Sequence, residues 1–373
     1  MEHSRNRVVI DWTALEHNLK QVKSRLRPDV KIMGVVKADA YGHGLVPVSK
    51  ALVGMGVDSL GVAHLHEAME VRQSGLTLPV FILSGIRTRD EARAVIHLEL
   101  TPVLFDPAAA EMISEECARM GKRAKVHVKV DTGMGRLGIP LAQVQPFLEK
   151  ISSCRSLDLG GLISHLSSAD DPDRSFTDSQ IRNFRKAIET ATAMGFTTSL
   201  NSLANSAGVL SHPDSQFDMV RPGIMLYGGL PSPEFQSDVT LRPVMTFKAA
   251  VLQIRDMPDG SPVSYSRTYH TKGNQRIAVL STGYGDGLPR GLSNRGQVLI
   301  RGTKASITGR VCMNLTMADV SAIEGVQPGD EAVLLGCQGG SCVPGDDVAR
   351  WAGTISYEVF CSIGRKNTRS YGQ

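Results

Sequence analysis

No apolar run in the 373 residues approaches the length that crosses a bilayer, so no membrane association is expected. The opening Met1-Glu2-His3-Ser4-Arg5 carries no apolar export segment, and the expected location is the cytoplasm. Lysine and arginine nowhere form a block with interleaved aromatics. A net charge of +4 is too slight to indicate nucleic acid. The six cysteines, Cys117, Cys154, Cys312, Cys337, Cys342 and Cys361, lack the spacing of a zinc finger. Cys337 and Cys342 flank a Gln-Gly-Gly-Ser turn that a disulfide or a metal clip would close, but reduced thiols are the expectation in a cytoplasmic protein. With 42% hydrophobic and 21% charged residues, what remains is an ordinary globular composition with ample core. The length suggests two domains, or one large barrel with an appendage.

The first two-thirds alternates short apolar runs with helical patterns. Val8-Val9-Ile10 leads to Asp11, a good N-cap, and then to Leu15, Leu19, Val22 and Leu26 at helical spacing. Further strands are expected at Ser59–Ala63, Val80–Leu83, Pro102–Phe105, Lys125–Val130, Leu159–Ser164, Thr197–Asn201 and Asp218–Val220. Helices are expected between most of them, as at Thr88–His97, Pro107–Met120 and Gln180–Met194. Strand-then-helix repeats point to parallel strands with right-handed crossovers, which a (β/α)8 barrel and an open doubly wound sheet both satisfy. Lys37, Arg136, His165, Asn205 and Arg221 all fall at or just beyond the C-terminal ends of expected strands, the rim where barrel active sites assemble. The barrel is therefore the preferred fold.

After about Leu241 the texture changes. Pro231-Ser232-Pro233 reads as a linker, and strands broken by glycine-rich turns replace helical periodicity. The expected organisation is a barrel over residues 1–240 and a mostly β domain over residues 241–373.

The most informative stretch is Val35-Val36-Lys37-Ala38-Asp39-Ala40-Tyr41-Gly42-His43-Gly44. A lysine closes the apolar run Ile32-Met33-Gly34-Val35-Val36, and a tyrosine follows four residues later. Desolvating an ammonium lowers its pKa, so a lysine at the end of a buried strand suits an imine-forming amine or a proton-transfer base. Alone, it reads first as a lysine that snorkels to solvent at a strand end.

These ten residues resemble the pyridoxal-phosphate lysine segment of the alanine racemases. Further stretches resemble the same family in order: Lys129–Gly138 (KVDTGMGRLG), Ser164–Asp170 (SHLSSAD), Ala204-Asn205-Ser206 and Met219–Gly228 (MVRPGIMLYG). So do Val263–Tyr269 (VSYSRTY), Gly283–Gly287 (GYGDG), Gly309–Asn314 (GRVCMN) and Thr354–Glu358 (TISYE). The resemblance implies an N-terminal (β/α)8 TIM barrel with a C-terminal mostly-β domain. It implies an isomerase that interconverts L- and D-alanine by a two-base mechanism on a pyridoxal 5'-phosphate aldimine, supplying D-alanine for peptidoglycan.

Residue by residue, the resemblance makes Lys37 the cofactor-bearing lysine and one base, and Tyr265 the other. It sets Tyr41, Asn205, Ser206, Gly223, Ile224 and Tyr357 around the phosphate, Arg221 against the pyridine nitrogen, and His165 between Arg221 and Tyr265. Arg136 and the Met313 N–H would hold the substrate carboxylate, Tyr284 would limit side-chain size at the mouth, and Lys129 matches a lysine that can carry a carbamate. No metal is implied. The partners implied are an amino-acid substrate and a second copy in a head-to-tail homodimer with shared active sites. Family members often have Met-Asp where this chain has Met313-Asn314, which removes a negative charge near the site.

Other readings lead elsewhere. A racemase of serine or another small amino acid fits the same scaffold. Amino-acid decarboxylases of barrel-plus-β architecture pair the pyridine nitrogen with an acid, which Arg221 opposes. A non-catalytic pyridoxal-phosphate carrier would lack the second domain with its Tyr265. A metal enzyme built on His43, His64 and His66 lacks an accompanying carboxylate cluster.

Overall fold

The computed structural model describes residues 6–372; Met1–Arg5, on which the export expectation rests, lie outside the described residues. The chain divides into two compact units, each assembled from more than one stretch of sequence. One contains Leu19–Ala40 and Leu45–Gly223. The other contains the described residues up to Asn18, then Tyr41–Gly44, and the chain from Ile224 onward. A single boundary near residue 240 does not describe this division. Residues 224–240 and the first strand, Arg7–Asp11, belong with the C-terminal part.

The first unit is a barrel. Strands Lys31–Val35, Ser59–Val62, Val80–Ile82, Thr101–Leu104, Ala124–Asp131 and Leu157–Ile163 pair in parallel and in sequence. The seventh position is an irregular segment rather than a ladder. Ser202 bridges Ile163, its N–H reaches the Leu162 carbonyl, and the Asn201 carbonyl takes the Met219 N–H. Met219–Val220 then pairs with Lys31 and Ile32 and closes the ring. The barrel thus starts at Lys31, not at Val8–Ile10, and Thr197–Asn201 is not a regular strand.

Helices follow the strands with the expected punctuation. Thr88 caps Arg89–His97 and completes a capping box with Glu91. Asp106 caps Pro107–Met120, which starts on proline and stops at left-handed Gly121. Inside the ring, Met33, Phe81, Val103, Ile163 and Met219 form one buried cluster. His127 lies buried with its ring edge-on to Phe81, and a Cβ on Gly160 or Gly161 would collide with it or the Leu200 carbonyl. Burial pushes its pKa down to about 3. At neutral pH it is an uncharged aromatic spacer, as the low-dielectric interior demands.

The second unit is built on a nine-stranded sheet. The long strand Met245–Met257 pairs antiparallel with Arg7–Asp11, Gln275–Leu280 and Glu331–Gln338. Its first half alternates buried and half-buried residues, the period of a strand with one face on the core. The amino-terminal strand is held from both sides, since Arg369–Gly372 pairs parallel along its other edge. Arg7 and Lys248 both reach the Glu331 carboxylate, tying three strands of that sheet together. The hairpin Glu331–Gln338/Ser341–Val343 sets Cys337 directly opposite Cys342, and the two form a disulfide. Reduced thiols were the expectation for this pair; two successive left-handed glycines, Gly339 and Gly340, turn the chain tightly enough to oppose them. Among the described residues no helix is long and apolar enough to cross a membrane.

Candidate active site

The barrel unit gathers Lys37, Lys129, Arg136, His165, Asn205, Ser206, Arg221 and Gly223. The other unit carries Tyr41, Ile224, Tyr265, Tyr284, Met313 and Tyr357. Each set has its own construction.

Lys37 follows strand Lys31–Val35, and the backbone after it does something rare. Ala38, Asp39, Ala40 and Tyr41 are all left-handed, with φ between 51° and 59°. L-residues avoid this conformation at about 1–2 kcal/mol each, so something must hold the turn. Buried Glu67 does so from its helix: one carboxylate oxygen takes the Ala38 N–H at 2.6 Å, and the other takes the N–H groups of Ala63 and His64. The Asp39 carboxylate adds a bond to the Leu45 N–H. His64 is the N-cap of helix Leu65–Gln73, with its ring stacked on that of His66 at 5.7 Å.

Arg221 is buried in the barrel wall. One terminal nitrogen donates to Ser202 Oγ at 2.5 Å, and the other to the Ser164 carbonyl, the Leu203 carbonyl and His165 Nδ1. Burial lowers its pKa to about 10, which still leaves it charged at neutral pH. A guanidinium only donates, so His165 Nδ1 is the acceptor and the ring proton sits on Nε2. Desolvation, then the charges of Arg221, Lys129, Arg136 and Lys37, hold His165 well below its usual range and keep it neutral. The Arg221 Nε–H has no acceptor among the described residues.

Lys129, near the end of strand Ala124–Asp131, stands in the same cationic surroundings. Desolvation, with Arg221, Arg136 and Lys37 adding to it, brings its pKa down to about 7. Arg136 stands beyond a loop wound on Asp131, whose carboxylate accepts the N–H groups of Gly133, Met134 and Gly135. Ser206 Oγ takes the Gly223 N–H at 3.0 Å. Asn205 caps helix Ser206–Ser211 through the Gly208 N–H, and its amide also faces the Leu166 carbonyl. Its side chain is thus committed to helix capping.

In the other unit, Tyr41 is buried between Tyr227 and Tyr357, with ring centroids at 4.8 and 5.9 Å. Burial, then Tyr357, pushes its hydroxyl pKa upward, so it keeps its proton and can donate. Gly42 follows at φ 82°, where a Cβ would strike the Phe360 carbonyl. Tyr265 is 70% exposed and Met313 58% exposed. Tyr265 lines a cavity of about 540 Å³ with Ser264, Cys312 and Leu315. Ser264, Ser266 and Arg267 around it are left-handed. Ser264 Oγ bonds the Arg310 carbonyl and touches Cys312 Sγ, fixing the two segments together. The turn holding Tyr284 rests on Asp286, which accepts the Gly283 N–H and the Asn314 amide. The Met313 N–H has no acceptor among the described residues.

A protonated arginine with an unspent Nε–H, a lysine after a strained turn and four converging cations in the barrel unit fit a ligand with a basic ring nitrogen and acidic groups. Two family models cover nearly the whole chain: the alanine racemase N-terminal domain over residues 10–231 and the C-terminal domain over residues 244–371. The chain belongs to the alanine racemase family. A relative from Syntrophobacter fumaroxidans is 44% identical, over 98% of this chain and 96% of its own. The structure of the alanine racemase from D-cycloserine-producing Streptomyces lavendulae is 31% identical and superposes with a TM-score of 0.93 over 100% of this chain and 98% of its own. That from Bacillus anthracis with bound L-Ala-P is 30% identical, with a TM-score of 0.90 over 100% of this chain and 96% of its own. Alanine racemases are isomerases, and this chain carries both of the family's domains.

Ser202 and Glu67 lie outside every stretch that carries the resemblance, and Ser164 and Asp131 lie inside SHLSSAD and KVDTGMGRLG without a role of their own being implied. Only Glu67 has a local signal, its place three residues after the cap His64. Glu67→Gln swaps an acceptor oxygen for an NH2 facing N–H donors. The expected outcome is a loss of about 1–3 kcal/mol in urea unfolding, together with weaker cofactor retention after dialysis. A variant as stable as the parent would show that Glu67 does not hold the left-handed turn.

Proposed function

We propose that this protein interconverts L- and D-alanine with pyridoxal 5'-phosphate, in the cytoplasm, supplying D-alanine for peptidoglycan. The observation that carries this reading is Arg221: a buried, charged guanidinium whose Nε–H is left for a ring nitrogen. Lys37 would hold the cofactor through its amine, Ser206 and Gly223 would take the phosphate in the barrel unit, and Tyr41, Ile224 and Tyr357 in the other. When bound, the cofactor supplies an electron-withdrawing ring conjugated to the substrate nitrogen, which acidifies the Cα proton. An arginine stays protonated and leaves the ring nitrogen unprotonated, which moderates that withdrawal and favours rapid return of a proton to Cα over side reactions.

Racemisation needs one group to take the Cα proton from one face and a second to deliver a proton to the other. Lys37 Nζ and Tyr265 Oη are the two bases. A free tyrosine has a pKa near 10 and needs a donor to its phenolate. The His165 tautomer supplies one, because Nδ1 is occupied as an acceptor and Nε2 carries the proton. Arg136 and the Met313 N–H would hold the substrate carboxylate, and Tyr284 would bound the space for its side chain.

Tyr265 and Met313 are large side chains left exposed, as residues covered by a second copy would be. We infer a head-to-tail homodimer in which each β domain completes the other subunit's site. Lys129 near neutrality is also a nucleophilic amine. Adding carbon dioxide to it would release one proton and leave a carbamate anion among three cations, which would orient Arg136.

The first test is chiral chromatography of a panel of small L-amino acids after incubation with cofactor-saturated protein. D-alanine is expected far ahead of every other D-isomer; if only D-serine or another D-isomer forms, the substrate assignment fails. Subunit sharing is tested by mixing Lys37→Ala and Tyr265→Phe proteins, each nearly inactive. Random reassociation makes half the dimers mixed, each with one intact site, so the mixture should recover about a quarter of the parent rate. No recovery after subunit exchange would rule out shared sites. For Lys129, labelled bicarbonate should give a carbamate carbon signal in NMR that is absent from Lys129→Ala. The signal should weaken as pH falls below about 7, where the amine is protonated. A parent protein without that signal at pH 8 has no carbamate.

A further inference from the structure

We propose that Gln180 is a positioning residue for His165, clamping the rim segment that carries it to the neighbouring segment that follows Lys129. This rests on the reading in which His165 serves the proton transfer of Tyr265. Gln180 stands on helix Ser175–Ala193 and is fully buried. Its amide uses all of its hydrogen-bonding capacity. Nε2 donates to the His165 carbonyl at 3.1 Å and to Thr132 Oγ1 at 3.3 Å. Oε1 accepts the Ser167 N–H at 3.0 Å and the Ser167 hydroxyl at 3.1 Å. The orientation of the amide is forced, because a backbone N–H can only donate and a carbonyl can only accept.

The consequences run into the site. Thr132 Oγ1 accepts from Gln180 and shares a second hydrogen bond, hydroxyl to hydroxyl, with Ser164 Oγ at 2.8 Å. Ser164 offers its carbonyl to Arg221, and the next residue is His165 itself. One side chain therefore fixes the backbone on both sides of His165 and, through Thr132, the end of the strand bearing Lys129. An apolar residue would leave the Ser167 N–H and the His165 carbonyl without this partner. An ionised carboxylate would keep the acceptors, lose both donors and face the His165 carbonyl with charge.

The test is Gln180→Glu beside the volume-matched Gln180→Met, both as cofactor-loaded enzyme with alanine. The expected result is a fall in kcat of about tenfold to a hundredfold, KM for alanine within about twofold of the parent, and an unchanged cofactor absorbance spectrum. The isotope effect with Cα-deuterated alanine should rise for only one enantiomer, the one whose proton goes to Tyr265. A purely structural role predicts otherwise: lower thermal stability with kcat and the isotope effects unmoved, or equal changes for both enantiomers. Either of those overturns the proposal. If Gln180→Met does not fold, Gln180→Glu alone decides by the same criteria. Racemisation by the parent is measured first, so failure of the activity itself is seen separately from failure of Gln180.

Discussion

The barrel rim holds more positive charge than its carboxylates neutralise, and the rest of the site follows from that excess. Lys37, Lys129, Arg136 and Arg221 converge, with Asp131 the acid that works against them at Lys129. Burial lowers the proton affinity of His165, Lys129 and Arg221, and the neighbouring cations lower it further at His165 and Lys129. Because the side chains start from very different intrinsic values, one field sorts them into three states. At neutral pH His165 is uncharged, Lys129 sits at the balance point, and Arg221 keeps its charge. The assignment of donors and acceptors then has no freedom left. A charged Arg221 and a neutral His165 leave the imidazole one tautomer, with Nε2–H available to a phenolate. The same excess favours ligands with carboxylate or phosphate groups.

Why a protein would keep such a repulsive cluster is answered by the acceptors around it. Arg221 is satisfied by two carbonyls, a hydroxyl and a ring nitrogen, all neutral. An acid in their place would pair the charge and remove the excess. Neutral partners bear the geometry without discharging it, and Gln180 extends the same principle one layer outward, with an amide where a carboxylate would also fit the space.

The sequence made the chemistry-bearing residues legible and hid their supports. Lys37, His165 and Arg221 stand at strand ends and can be found from apolar runs, and Pro107–Met120 has the bounds its cap and glycine announce. Arg7–Asp11 misled, because a short apolar strand before a helix looks the same whichever sheet it joins. Its antiparallel partner, Met245–Met257, lies far along the chain, and only that pairing assigns it to the C-terminal unit. Thr197–Asn201 misled in another way: barrel closure there needs a bridge at Ser202 and single bonds, not a ladder. Gln180 left no sign in the sequence, and Glu67 only its place after the cap His64, for a common reason. A side chain that hydrogen-bonds backbone groups in a different segment leaves no periodicity and no motif.

Both proposed bases also sit beside backbone that the chain would not adopt unaided. Four left-handed residues follow Lys37, and three flank Tyr265. Strain of this kind persists only where surrounding bonds over-determine it. After Lys37 the restraint is Glu67 and Asp39; beside Tyr265 it is the Ser264 hydroxyl on the Arg310 carbonyl. A relaxed backbone at either place would re-aim the reactive atom, and these hydrogen bonds oppose that relaxation. The strain therefore acts as rigidity: it limits each base to one approach, which a proton transfer confined to one face of Cα requires.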